Sequence, residues 1–314
     1  MSAPLTPEVR KLQEAEGAFF DEMARSRSLD GRISYQADLR RATRRIGRPG
    51  VEPEDPRMFE IQQGAYRDRY LQLVAHRPGG RVLEVGCGPG WLALELGRRG
   101  QIVEAYDVSP GAIAVARQML AENPFTGGFG QVHYHLADPT QADLGVEQYD
   151  AVHGWSAFHH LPDFRGFMKR VMRALKPGGI VATMDDYPRR QLEVNVQRFL
   201  GLVLPTTERS YADKLRAVGR RLGGRTVDAP EVFSPMEQEK YTTVSDIRDV
   251  FSNEFELVLD VPFNAFAMGV MPLLAGPDWW RYPVARAIDA LDKLGCRSGI
   301  WRANNRMIVS RKAR

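Results

Sequence analysis

The sequence is short of cysteine, short of lysine and without any long apolar run. Its two cysteines, Cys87 and Cys296, lie far apart. That excludes a disulfide framework and makes a reduced, cytoplasmic protein the expectation. No C-x-x-C pair occurs, so a zinc ribbon or finger is excluded and no metal is expected. No stretch reaches the ~18 apolar residues of a membrane span. Residues 1–10 carry no apolar h-region, so no secretory leader is expected. Internal repeats and low-complexity tracts are also missing.

What is present is ordinary in amount and uneven in kind. Of 314 residues, 43% are hydrophobic and 26% charged, enough for a sizeable core and against wholesale disorder. Basic residues number 43 against 39 acids, and only seven of the 43 are lysine. Such an arginine skew reads first as compositional bias. Its functional reading is anion recognition, because a guanidinium offers a bidentate fork to phosphate or carboxylate. A formal charge of +4 is too small to indicate nucleic acid.

Four zones follow along the chain. Residues 1–56 read as a helical N-terminal extension, with Leu12, Phe19, Phe20 and Met23 at helical spacing, then a basic run at 39–48 and prolines 49, 53 and 56. Residues 57–188 alternate strands and helices. Strands are expected at 81–85, 101–107, 131–137, 149–155 and 180–184, with helices at 59–76, 91–99, 111–123 and 164–175. That alternation implies crossover units and a parallel sheet. Residues 189–240 break the rhythm with an arginine-rich insertion and a basic helical piece at 214–225. Residues 241–314 resume it, with a capping box at Thr243 and Asp246, strands at 255–261 and 302–311, and an insertion at 264–300 holding a helix at 283–294.

One segment carries chemistry: Val82-Leu83-Glu84-Val85-Gly86-Cys87-Gly88-Pro89-Gly90. A buried strand runs into three glycines at alternate positions and then into a helix. Glycine lets backbone approach a ligand where a Cβ would collide. A helix N-terminus adds free N–H groups and a positive dipole end, which suits a nucleotide-like ligand with an anionic group. The spacing does not match the G-x-G-x-x-G dinucleotide fingerprint from Gly86, and matches poorly from Gly88.

The pattern E-x-G-x-G-x-G resembles motif I of the class I S-adenosylmethionine (SAM)-dependent methyltransferases. Three further features stand where that family has them: Asp107 at the end of the second strand, Asp138 after the third, and Leu175-Lys176-Pro177-Gly178-Gly179 before the fifth. The resemblance implies a Rossmann-like α/β fold: a seven-stranded, largely parallel sheet with an antiparallel last strand and helices on both faces. Around it would lie the helical N-terminal extension and the lid insertions. It implies SAM as cofactor and S-adenosylhomocysteine as product. Asp107 would take the ribose hydroxyls and Asp138 the adenine amino group. Glu84, Gly86, Cys87, Gly88, Gly90, Val108, Ala137, Gly154 and Trp155 complete the implied cofactor set, with Glu84 organising the loop and Cys87 a packing residue.

Two places qualify for a base at the C-terminal strand ends. The fourth strand leads into Ser156-Ala157-Phe158-His159-His160-Leu161, and the fifth ends in Asp185-Asp186-Tyr187. This pairing is similar to that of small-molecule and sugar O-methyltransferases, where a His-His segment and an Asp flank the acceptor. On that resemblance His159 or His160 is the base, and Asp185 orients it or acts itself. No [DN]-P-P-[FYW] motif follows the fourth strand and neither cysteine follows a proline, so nucleic-acid methylation is not expected. The expected acceptor is a small molecule, with anionic acceptors allowed by the basic pieces and a homodimer left open. Hydroxyl methylation ranks ahead of N- or C-methylation and of a catalytically silent SAM-binding protein. Phe19, Phe20, Tyr35, Tyr187, Trp279 and Trp280 are candidate pocket aromatics.

Overall fold

A computed structural model describes residues 6–27, 32–45, 54–186, 190–207, 209–222, 234–235 and 242–313. Its helices are α1 (Pro7–Arg27), α2 (Pro56–Val74), α3 (Trp91–Gly97), α4 (Pro110–Ala121), α5 (Phe164–Ala174), α6 (Gln191–Val203), α7 (Tyr211–Leu222), α8 (Val244–Asn253) and α9 (Asp278–Arg297). Its strands are β1 (Arg81–Val85), β2 (Ile102–Asp107), β3 (Gln131–Leu136), β4 (Tyr149–Trp155), β5 (Leu175–Asp186), β6 (Glu256–Phe263) and β7 (Asn305–Arg311).

All seven strands form one sheet in the order β3-β2-β1-β4-β5-β7-β6. Pairings from β3 through β5 are parallel, while β7 runs antiparallel to both β5 and β6. This is the expected Rossmann-like sheet, with the last strand reversed and inserted beside β5. Two apolar clusters cover its faces. One joins Tyr70, Leu71 and Val74 of α2 to β1 and β2, and the other joins Phe167, Val171 and Phe251 of α5 and α8 to β4 and β5. The strands at the centre are buried on both sides: every residue of 82–85 and 149–154 is buried, the polar Glu84, Asp150 and His153 included.

Local rules explain the ends of several elements. Asp55 accepts from the N–H groups of Arg57 and Met58 and caps α2 just ahead of Pro56. Ser109 accepts from the Ala112 N–H and caps α4. Thr243 and Asp246 exchange backbone hydrogen bonds of 3.2 and 3.0 Å, forming the expected capping box on α8.

Two expectations need correction. The Lys-Pro-Gly-Gly stretch is not a turn ahead of β5 but an irregular part of it. Leu175 pairs with Tyr149, pairing resumes at Ile180 with Ala151, and Gly178 takes φ +71° in between. Asp150 holds that bulge, accepting from Lys176 Nζ at 2.7 Å, Arg77 at 2.8 Å and the Arg81 N–H at 2.9 Å. The helix expected at 283–294 begins at Asp278 and continues through Pro283, which has no N–H to donate to the Trp279 carbonyl one turn earlier. The insertion at 189–240, read as helical, carries α6 ahead of α7, and Glu193 ties it to the segment entering β7 by accepting the Arg302 N–H at 2.7 Å.

The basic run at 39–48 is turn rather than helix over its described part, and its arginines face carboxylates. Arg40 and Arg99 both bind Glu95, at 2.9 and 2.8 Å. Arg41 binds Glu122 at 3.1 Å, and Arg44 binds Asp278 at 3.0 Å. Beneath them Arg98, whose side chain is 1% exposed, bridges Asp38 and Glu95 at 2.8 Å each and bonds to Asn123. These pairs fasten residues 38–41 onto α3. Residues 46–48 and 223–225 of the basic pieces, and Tyr187, lie outside the described residues.

Removing the centre of this cluster would leave the buried Asp38 facing only Arg41, at 3.9 Å, while Glu95 would keep Arg40 and Arg99. Arg98→Ala is therefore expected to lower unfolding stability by about 3 kcal/mol. Chemical denaturation followed by circular dichroism checks this. A loss below about 1 kcal/mol would show that the cluster only decorates the fold.

Candidate active site

Parallel pairing brings the C-terminal ends of β1, β2, β4 and β5 to one side of the sheet. Val85 stands beside Tyr106 and Gly154, and Trp155 beside Met184. The chain then leaves β1 through Gly86, Gly88 and Gly90, at φ +65°, +51° and +90°. Only glycine adopts these values without strain. A Cβ on Gly86 would stand 2.8 Å from the Ala157 Cβ, whereas nothing lies within 4 Å of a Cβ on Gly88.

Asp107, at the end of β2, fixes this turn. Its Oδ2 accepts the Gly88 N–H at 2.7 Å and its Oδ1 accepts the Ser109 N–H at 2.9 Å. Desolvation pushes its carboxyl upward, against the pull of those N–H groups. Asp138 accepts the Thr140 N–H at 2.8 Å and the Gln13 side-chain amide at 2.9 Å. The start of α3 differs from the expectation of free N–H groups. The Trp91 N–H is taken by the Gln36 carbonyl at 3.1 Å, so a backbone loop already occupies the positive end of that helix.

A cavity of about 480 Å³ opens over these strand ends, within the ~300–1,000 Å³ range of small-molecule sites. Of the sequence-derived cofactor set, Glu84, Gly86, Cys87, Gly88, Asp107, Val108, Asp138 and Trp155 line it. Gly90, Ala137 and Gly154 do not line it. Gly90 is packed against Ala116 and Tyr134, Gly154 faces Ala157 and Phe158, and the Ala137 N–H is bonded to the Asp107 carbonyl. Cys87 is buried, and its thiol is pushed well up by that burial, which suits a packing residue.

Both histidines line the cavity, and each is held by a carboxylate. His159 Nδ1 stands 2.7 Å from Asp185 Oδ1, and Thr183 Oγ1 donates to the other Asp185 oxygen. Asp185 is buried and does not line the cavity. A carboxylate can only accept, so Nδ1 carries the proton and Nε2 is the basic nitrogen. His160 Nδ1 stands 2.7 Å from Glu16 Oε1 and 3.3 Å from Ser234 Oγ. Asp186, next along β5, accepts from the Asn305 amide, and both line the cavity rim.

The N-terminal helix supplies residues that periodicity alone left anonymous. α1 crosses the cavity with Gln13, Glu16, Phe19 and Phe20 turned into it. It is pinned by Asp21, which accepts from Ser109 Oγ and the Gly111 N–H at 2.6 Å each. Tyr35 also lines the cavity. Trp279 and Trp280 do not: Trp279 is 78% exposed and Trp280, on α9, packs against the apolar cluster that holds Met58, Phe266 and Met271. Met268 reaches the cavity from the far side of the sheet. Asp292 places it by accepting the N–H groups of Ala265, Phe266 and Ala267 at 2.8, 3.2 and 2.7 Å.

Comparison with known proteins decides the family. The profile of the family described as "Methyltransferase domain" matches residues 58–219. The chain belongs to this family. Its methyltransferase domain is of the class I, SAM-dependent type. A ubiquinone biosynthesis O-methyltransferase of Xanthomonas campestris pv. campestris is 33% identical over 155 residues, 46% of this chain and 62% of that protein. The match therefore spans less than two thirds of that relative. Among solved structures, geranyl diphosphate C-methyltransferase from Streptomyces coelicolor A3(2) aligns at TM-score 0.51 and 14% identity, over 99% of this chain and 100% of that one. The [4+2]-cyclase SpnF aligns at TM-score 0.55 and 15% identity, over 96% of each chain. These two likenesses are of fold alone.

The methyltransferase turn rests on a buried polar pair. Glu84 Oε2 and His153 Nε2 lie 4.0 Å apart beneath it, and neither has a hydrogen-bond partner. Burial pushes the Glu84 carboxyl well up and the His153 imidazole down to about 3. In the unfolded chain His153 would gain its proton near pH 6.5. Its contribution to stability is thus complete above 6.5 and is lost as pH falls toward 3. Glu84 runs in the opposite sense. His153→Gln is accordingly expected to flatten the acid limb by up to ~1.4 kcal/mol per pH unit below 6.5. Unfolding free energies of both proteins between pH 7 and 4 test this. Equal slopes would mean that His153 takes up its proton in the native state.

Proposed function

We propose that the protein methylates a hydroxyl group of a small molecule, with SAM as donor and His159 as general base. The observation that supports this best is the His159–Asp185 pair at 2.7 Å, on the wall of the cavity that the glycine turn and Asp107 also border. On this reading the sheet's C-terminal edge has a donor end, at β1, β2 and β3, and an acceptor end, at β4, β5 and β7.

The residues present fit the donor. The backbone at Gly88 leaves open space where a side chain would stand, and Asp107 and Asp138 place carboxylates at the ends of β2 and β3. Bound there, SAM would supply an electrophilic methyl group on a sulfonium. Asp107 would hold the ribose and Asp138 the adenine amino group, the latter exchanging its bond to Gln13.

The chain's own work is to align the acceptor and take its proton. His159 Nε2 accepts the hydroxyl proton, and Asp185 holds the resulting imidazolium in place, itself fixed by Thr183. A base so placed contributes about 10²–10⁴-fold. His160 Nδ1 lies 2.7 Å from Glu16 of α1 and so joins the N-terminal helix to the acceptor end. That helix, with Met268 opposite, would act as the lid that excludes water. Outside the core of 57–188 and 241–314, the extension at 1–56 lines the cavity through α1, Tyr35 and Gln36, and the insertion at 264–300 through Met268; no described residue of the insertion at 189–240 lines it.

His159→Ala is expected to lower kcat by at least 10²-fold while S-adenosylhomocysteine binding is kept. Asp185→Asn should lower kcat less and move the acidic limb of the pH profile. Labelled SAM with metabolite pools, read by mass spectrometry, identifies the product and the methylated atom. Full turnover in both variants would remove His159 from the role of base, and an N- or C-methylated product would overturn the hydroxyl assignment.

A further inference from the structure

Helix α9 buries one face and leaves the other bare. Tyr282, Ala285, Ile288 and Cys296 pack into the apolar cluster beneath it, and two of its three acids, Asp289 and Asp292, are buried as well. The outer face carries Trp279, Pro283, Ala287, Ala290, Leu291 and Leu294, all exposed. Steps of three and four residues keep them in one stripe along the helix. Leu291 and Leu294 are 63% and 65% exposed, and Ile300 lies just beyond the helix at 61%. A contiguous apolar stripe in solvent marks an interaction surface.

The charge beside this stripe is of one sign. Arg286 and Arg297 stand along one edge of it, both exposed and neither in a hydrogen bond or ion pair. The remaining acid of the helix, Asp278, is its first residue and is bound by Arg44 at 3.0 Å. Next to the same edge lies a groove of about 300 Å³ between α9, α2 and β6. Arg69, Lys293 and Arg297 line it together with Tyr66, Leu259 and Val261, and no described carboxylate does. Lys293 is matched by the buried Asp289 at 2.7 Å, whereas Arg69 meets only the Gln72 side-chain oxygen at 3.2 Å.

We propose that the outer face of α9 docks on a membrane surface containing anionic lipid, with Trp279, Leu291 and Leu294 at the headgroup–acyl boundary and the groove at Arg69 and Arg297 on a lipid phosphate. A lipid surface offers apolar chains and phosphates side by side, which is the pairing this face presents. An indole on the apolar stripe sits at headgroup level. The helix lies on the bilayer, since no described helix is long and apolar enough to cross one. A second copy of the chain suits the face less well. A two-fold contact uses the same patch twice, so it would add two more arginines and no acid to meet them.

The full chain is sedimented with vesicles of pure phosphatidylcholine and with vesicles containing about one third phosphatidylglycerol. Binding to the anionic vesicles is expected to be at least tenfold tighter and to weaken as salt is raised. Arg286→Gln and Arg297→Gln should each weaken it about fivefold, and Leu291→Ser combined with Leu294→Ser at least tenfold. Tryptophan emission should shift to the blue on anionic vesicles, and the shift should shrink in Trp279→Phe. Circular dichroism of each variant is expected to match that of the parent chain. If a variant misfolds, the parent's own preference between the two vesicle types decides. No binding to anionic vesicles, equal binding to both types, or undiminished binding by all the variants overturns the proposal. So does a dimer in sedimentation velocity that the two serine substitutions dissociate, which would give the face to a second copy.

Discussion

Everything at the site depends on β1 being paired in parallel on both edges. With β2 on one side and β4 on the other, its end has nowhere to go but up and over the sheet. The chain must turn in a few residues and return as a helix, so the turn is crowded. Gly86 answers the crowding, since a Cβ there would collide with Ala157. Asp107 then converts a flexible glycine turn into a fixed one by accepting the Gly88 N–H. The same parallel register delivers β4 and β5 to this edge, so His159 and Asp185 meet although 26 positions apart in sequence.

The core of this arrangement was legible because its signals are local. Glycine at alternate positions after an apolar strand, an acid at the end of the next strand and a His-His segment after the fourth are patterns of residue type and spacing. The sheet's parallel character followed from strand and helix alternation, and its reversed last strand from resemblance. What stayed hidden depends on tertiary contacts. Nothing in residues 278–282 forecasts that Pro283 will sit inside a helix, because the local rule reads proline as a boundary. The apolar spacing of Leu192, Val196, Phe199 and Val203 did carry α6, but the arginines around it drew the reading toward charge. Lys176-Pro177-Gly178-Gly179 reads as a turn, and it becomes strand because Asp150 holds both of its neighbours.

Charge was the feature most open to misreading. A run such as 39–48 has two physical outcomes that composition cannot separate: it can face an anionic ligand, or it can be matched by the protein's own carboxylates. The matches come from Asp38, Glu95, Glu122 and Asp278, which are scattered along the sequence. Arg98 shows why the second outcome prevails for the described part. A guanidinium buried to that extent requires acceptors on nearly all its N–H groups, and Asp38, Glu95 and Asn123 supply them. The excess of arginine thus serves the packing of 38–41 against α3.

That packing has a consequence for the cavity. Fastening 38–41 to α3 sets Gln36 over the start of that helix, where its carbonyl takes the Trp91 N–H. It also sets Tyr35 on Phe59. The segment that carries the arginines therefore adds Tyr35 to the cavity and takes up one N–H group at the start of α3. α1 lies across the cavity and reaches both ends, through Gln13 at Asp138 and Glu16 beside His160. Phe19, Phe20, Tyr35 and Phe59 come from residues ahead of the sheet in sequence, whereas Trp91, Trp155, the glycine turn, most of the acids and the histidines come from the sheet and its connections. The strands set where the reacting groups stand, and the N-terminal segment adds aromatic rings to the space around them.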